Sequence, residues 1–98
     1  MRRVIIESPY AGDIAANIEY ARLCLRHSIL LGEAPLASHL LYTQNGVLKD
    51  DDLRERDLGI SIGLIWAECA DLTAVYIDYG ISRGMQQGIA HARKARRP

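Results

Sequence analysis

Three short segments of the chain carry residues able to bind or transform a polar small molecule. Ser8, Pro9, Tyr10, Ala11 and Gly12 bring a hydroxyl, an aromatic ring and a flexible turn, with Asp13 just beyond. His39 and Tyr42 bring a phenol and an imidazole, the one side chain that exchanges a proton near neutral pH without help. Asp78, Ser82, Arg83, Gly84 and Met85 bring a carboxylate, a helix-capping hydroxyl and a glycine that lets a ligand approach the backbone. Ser82 and the free N–H groups of a following helix suit an anion, with Arg83 adding charge, and an ordinary N-cap accounts for Ser82 equally well. Tyr, Asp and Ser also serve turns without any ligand. A site therefore requires the three segments to converge.

Other candidates have simpler explanations. His27 and His91 fall on predicted helices at no metal-ligand spacing, so neither a metal site nor a cofactor is expected. Asp50-Asp51-Asp52 lacks the alternating ligands and glycine of a calcium loop and reads as a solvated helix start. Gly59 and Gly63, four apart, predict close packing of a helix against a neighbour.

The elements that must position these residues follow from pattern. Val4-Ile5-Ile6 is a β-branched run closed by turn residues, which predicts a strand buried on both faces. Asp13 caps a helix whose apolar positions Ile14, Ile18, Ala21, Leu25 and Ile29 share a face, and Gly32 ends it. Residues 33–37 form a second strand with Pro35 at its start or on an edge. A second long helix starts near residues 50–52 and aligns Leu58, Ile62, Ile65 and Cys69. Residues 72–77 are a third strand. Ser82 opens a last helix with Met85, Ile89 and Ala92 on one face. Arg93, Lys94, Arg96 and Arg97 then form a basic frayed tail over residues 93–98.

Strands alternating with helices imply parallel strands and right-handed crossovers. The predicted fold is α/β, a small Rossmann-like (flavodoxin-like) three-layer domain over residues 1–98, with about three strands in the order 2-1-3 and about three helices. Ligands of such sheets bind beyond the carboxyl ends of the strands, where the three segments lie.

The 98 residues allow one thin-cored domain, for which a partner subunit would help. Twelve basic residues balance twelve acidic ones, which argues against a nucleic-acid-gripping surface, and the basic tail has no interleaved aromatics. No apolar run is long enough to span a bilayer, and the N-terminus lacks the order of a signal peptide. Cys24 and Cys69 have no metal or redox spacing. A cytoplasmic protein with reduced thiols is expected.

Several of these segments carry a resemblance. Ile5-Ile6-Glu7-Ser8-Pro9-Tyr10-Ala11-Gly12, with Asn17 and an alanine-rich helix, resembles the opening of nucleoside 2-deoxyribosyltransferase-like proteins. Pro35, Ser38-His39-Leu40-Leu41-Tyr42-Thr43, Glu55-Arg56, Leu58-Gly59, Cys69-Ala70-Asp71 and Ile81-Ser82-Arg83-Gly84-Met85 are similar to a small, phage-associated branch of that superfamily. The resemblance implies a Rossmann-like sheet and cleavage or exchange of the N-glycosidic bond of 2-deoxynucleosides or their monophosphates. The family's chemistry uses a carboxylate nucleophile at the anomeric carbon. By the resemblance, Tyr10 matches the aromatic position after the first strand, Asp78 the aspartate that handles the base, and Ser82 and Gly84 the loop opening the last helix. The nucleophile position, four residues after that glycine, is Gly88, which has no side chain. Family enzymes also continue into a further strand and helix beyond the point matching the end of this sequence.

The expectation is a catalytically degenerate member that binds a nucleoside or nucleotide-type small molecule through Ser8, Tyr10, Gly12, His39, Asp78, Ser82, Gly84 and Met85. Two alternatives stand beside it. One is an active N-glycosidase or transferase that uses Asp78 or a carboxylate from another subunit, with Glu7 and Glu68 as possible sources. The other is an interaction module with an inherited pocket. A homo-oligomer is expected.

Overall fold

The computed structural model describes residues 1–98 and contains seven elements. In chain order these are β1 (Arg3–Glu7), α1 (Ile14–Leu30), β2 (Ala34–Leu36), α2 (Ser38–Leu41), α3 (Leu53–Ala67), β3 (Leu72–Val75) and α4 (Arg83–Lys94). The fold is α/β, with one parallel three-stranded sheet in the order β2-β1-β3, as the sequence pattern predicts. Val4 pairs with Pro35 on one side and with Leu72 on the other. As the middle strand, β1 buries Val4, Ile5 and Ile6 in succession. Pro35 lies on edge strand β2, where its missing N–H costs little.

Alternation along β1 sends Val4 and Ile6 to one face and Ile5 and Glu7 to the other. Val4 and Ile6 join Tyr20, Cys24 and Ala37 in the core beneath α1. Helix α4 covers the opposite face, with Gly88 against Glu7.

The buried face of α1 differs from the apolar stripe in its sequence. Asn17, Tyr20, Ala21, Cys24 and Ser28 are buried, whereas Ile14 and Ile29 are 42% and 57% exposed. The reason is that polar side chains anchor this helix. Asn17 donates through Nδ2 to the carbonyls of Tyr10 and Ala11 at 2.9 and 3.0 Å. Ser28, fully buried, donates to Glu33 Oε1 at 2.8 Å. Asp13 caps the helix by accepting from the Ala16 N–H.

Helix α3 is also turned relative to expectation. Its inward side is Gly63 and Ala67, with Ile60 and Leu64 half-buried, while Leu58 and Ile65 are more than half exposed and Cys69 lies at the surface. The cause is its neighbour α2, a one-turn helix too short to leave a periodic signal, which makes four helices rather than three. A Cβ on Gly63 would overlap the Ser38 side chain, so the glycine admits α2 to close contact, as the Gly59/Gly63 spacing predicts.

Strand β3 ends at Val75, two residues before the predicted Ile77. On α4, Met85, Gly88 and Ala92 are buried, and Gly88 takes the place expected of Ile89, which is half-buried. Residues 93–98 are not frayed. Arg93 and Lys94 complete α4, and the Thr73 N–H donates to the Pro98 carbonyl at 2.7 Å. Arg97 Nε donates to Thr73 Oγ1 at 3.3 Å. No helix is long and apolar enough to cross a membrane.

The two faces of α1 and β1 should separate by mutation. Ile6→Ala should cost about 2–5 kcal/mol in urea unfolding, whereas Ile29→Ala should stay within about 0.5 kcal/mol.

Candidate functional site

A cleft opens beyond the carboxyl ends of β1 and β2. Glu7, Ser8 and Tyr10 enter it from the end of β1, and Ser38, His39 and Tyr42 from α2 and its exit. Asp50, Glu55, Arg56 and Gly59 line it from the approach to α3 and from α3 itself. Ser82, Gly84, Met85 and Gly88 complete it from the start of α4. The structure thus brings together Ser8, Tyr10, His39, Ser82, Gly84 and Met85, which come from three separate segments.

Asp78 and Gly12 are not in this lining. Asp78 belongs to the opposite face of the sheet, where its Oδ2 accepts from the Tyr20 hydroxyl at 2.9 Å and its N–H donates to the same oxygen at 3.2 Å. Burial, then the Asp78 hydrogen bond, pushes the Tyr20 phenol up to about 12. Tyr79 stacks on Tyr20 with ring centroids 4.4 Å apart. Asp78 therefore holds the end of β3 against α1, in a shallow groove with Cys24, His27 and Tyr76. Gly12, at φ 96°, serves the turn into α1. Glu68 is exposed beyond the end of α3, and Gln86 and Gln87 are exposed on α4.

Three carboxyl groups line the cleft, those of Glu7, Asp50 and Glu55, and Glu7 is the one set against α4. A Cβ built on Gly88 would overlap the Glu7 carboxyl group, so the bare helix position is what admits this side chain. Desolvation raises the Glu7 pKa from 4.5 to about 7, with Arg97 opposing the rise. Two signals in the sequence mark this pair: an acid closing a buried strand, and a glycine on a helix face that otherwise carries side chains.

His39 accompanies it. Its Nε2 lies 2.8 Å from Ser8 Oγ, and Ser8 is buried. Burial lowers the His39 pKa from 6.5 to about 4, so the ring is neutral at pH 7. The side chain of Ser82 accepts from the Met85 N–H at 3.3 Å, and the Ser82 N–H points to Met85 Sδ, also at 3.3 Å. The Ser82 hydroxyl is thus engaged as the N-cap, while Gly84 leaves space beside it. At the mouth, Arg56 Nε stands 4.0 Å from Asp50 Oδ1, and Glu55 Oε1 accepts from the Lys49 N–H at 3.4 Å. Ser38, Asp50, Glu55, Arg56 and Gly59 were not among the expected site residues, because only the docking of α2 on α3 brings them to the strand ends. No three His, Cys, Asp or Glu side chains converge as a metal-ligand set.

The two shifted groups act on stability in opposite senses. Glu7 stabilises the fold when protonated, an effect present below about 4.5 and lost as pH rises through about 7. His39 stabilises when neutral, an effect present above about 6.5 and lost as pH falls through about 4. Relative to the parent chain, Glu7→Gln should therefore gain stability as pH rises over this window, and His39→Gln should lose it, as read by urea unfolding at a series of pH values.

Comparison with curated proteins and with solved structures gives no match. A family model does match, over residues 2–98, the span that supplies every strand of the sheet and every wall of the cleft. The chain belongs to the family described as Domain of unknown function (DUF7768).

Proposed function

We propose that the chain is a nucleoside 2-deoxyribosyltransferase-like protein that binds a nucleoside or nucleotide-type small molecule in the cleft between the strand ends, α2, α3 and α4. The observation that carries this reading is the convergence of Ser8, Tyr10, His39, Ser82, Gly84 and Met85 on one lining. Tyr10 offers a stacking surface, and the serines and His39 offer hydrogen bonds to a polyhydroxylated ligand. Tyr79 is stacked on Tyr20 on the other side of the sheet, so it does not fill the cleft. This favours a ligand over a protein-interaction module with a relic pocket. A cytoplasmic setting suits the free thiols of Cys24 and Cys69.

A second reading, cleavage of an N-glycosidic bond, has one specific observation in its favour: Glu7 brings a carboxyl group over Gly88. Calorimetry with 2-deoxynucleosides and their monophosphates, with free base followed by chromatography, separates the two. Heat of binding without base release is expected, and Tyr10→Ala should weaken it by about tenfold, the loss of one aromatic contact. Base release that disappears in Glu7→Gln would establish the second reading instead. Absence of binding by every member of the set would overturn both.

We also propose that the chain self-associates through α3. Leu58, Ile65 and Trp66, each more than half exposed, line the outer side of α3, with Ile62 half-buried beside them and Cys69 exposed just past the helix end. Such a stripe is the pattern of a helix that packs against another surface. Light scattering at micromolar concentration should give at least a dimer, and Ile65→Glu with Trp66→Glu should give a monomer of unchanged circular dichroism. A monomeric parent chain would refute the interface.

A further inference from the structure

The cleft carries more acid than base. Glu7, Asp50 and Glu55 line it, and Arg56 is the one cationic side chain among its walls, already turned toward Asp50. An anionic group on a ligand would face the carboxylates of Asp50 and Glu55 in a partly desolvated space, where like charges repel more strongly than in water.

Glu7 holds the inner position. Its carboxyl group lies over the bare backbone of Gly88, between the end of β1 and α4. What acts on it within the protein is burial and the charge of Arg97, with no hydrogen bond from any neighbour. Glu7 is half-buried, and its carboxyl group opens on the cleft with no hydrogen bond inside the protein, which leaves it free to meet a ligand that enters. A protonated carboxyl offers one O–H donor and one carbonyl acceptor side by side. Its complement is a ligand edge with an adjacent acceptor and donor, such as the lactam C=O/N–H of an oxo-substituted heterocycle.

We propose that Glu7 reads the ligand directly, and that the cleft selects an uncharged ligand presenting a paired donor–acceptor edge over one carrying a phosphate. This deepens the binding reading above and rests on it. The groups that face Glu7 are consistent with it. His39 on α2 stays neutral across the useful pH range. Arg56 and Glu55 on α3, Asp50 before α3 and Tyr10 after β1 stand around the cleft, and α4 presents no ionisable side chain to it. Arg97, near Glu7 but outside the lining, is fixed to Thr73 Oγ1 and His91.

The experiment is calorimetric titration with 2-deoxyinosine, thymidine and thymidine 5′-monophosphate at about pH 6 and about pH 8.5. The parent chain should bind the two nucleosides more tightly at the lower pH, by about 30-fold for a carboxyl that titrates at about 7. The monophosphate should bind more weakly than thymidine at both. Glu7→Gln keeps a donor and an acceptor without a charge, so it should bind the nucleosides with no pH dependence. Glu7→Ala should lose at least about tenfold at the lower pH. Gly88→Ala, which leaves Glu7 intact and displaces it, should lose a similar amount. Nucleoside binding that ignores both pH and Glu7→Ala would overturn the inference while leaving the binding reading in place. A monophosphate that binds as well as thymidine would overturn the charge selection. No binding by any of the three would overturn both the inference and the reading beneath it. Thermal unfolding of each variant separates lost binding from lost fold.

Discussion

A strand paired on both sides and covered on both faces leaves no side chain indifferent to its neighbours, and β1 is such a strand. Val4, Ile5 and Ile6 are buried one after another because β2 and β3 hold the edges and α1 and α4 hold the faces. Glu7 is the next residue. Alternation gives it the α4 face, and there a side chain on position 88 would collide with it. The glycine on α4 and the acid on β1 thus form one arrangement, and the turn that follows, with Ser8 and Tyr10, starts from a fixed point.

That arrangement costs the charged form of Glu7 its water, and the same cleft costs His39 its charge. The consequence is a pocket whose inner groups are close to neutral while its mouth carries Asp50, Glu55 and Arg56. Inner groups of this kind favour directional hydrogen bonds over charge pairing. The Ser8–His39 contact is an example, since it ties the β1 turn to α2 through two uncharged side chains.

Much of the fold was legible because its signals are local. A β-branched run ended by Ser-Pro reads as a buried strand, and Asp13, Asp52 and Ser82 cap the helices they precede. Features set by tertiary contact were not legible. The face of α1 is chosen by Asn17, Tyr20 and Ser28, whose polar anchors lie far away in the chain or in loops. The stripe on α3 points outward because α2, a single turn, already occupies the other side. Around the cleft, the strand-end rule gathers Ser8, Tyr10, His39 and the start of α4 on one lining. It failed for Asp78, which also follows a strand but is claimed by the Tyr20 hydroxyl on the far face. A rule about strand ends locates a rim and does not say to which side of the sheet a side chain turns.

The rung between Thr73 and Pro98 bears on a different matter, the solubility of the free chain. Strand β3 is an edge, and beyond that single rung its outer side exposes Val75, followed by Ile77. An apolar parallel edge is a template for unwanted strand addition. Arg97 stands at this edge, hydrogen-bonded to the side chain of Thr73 upon it. Its guanidinium is a charge of the gatekeeper kind, so that a second copy approaching β3 edge to edge meets its own charge reflected.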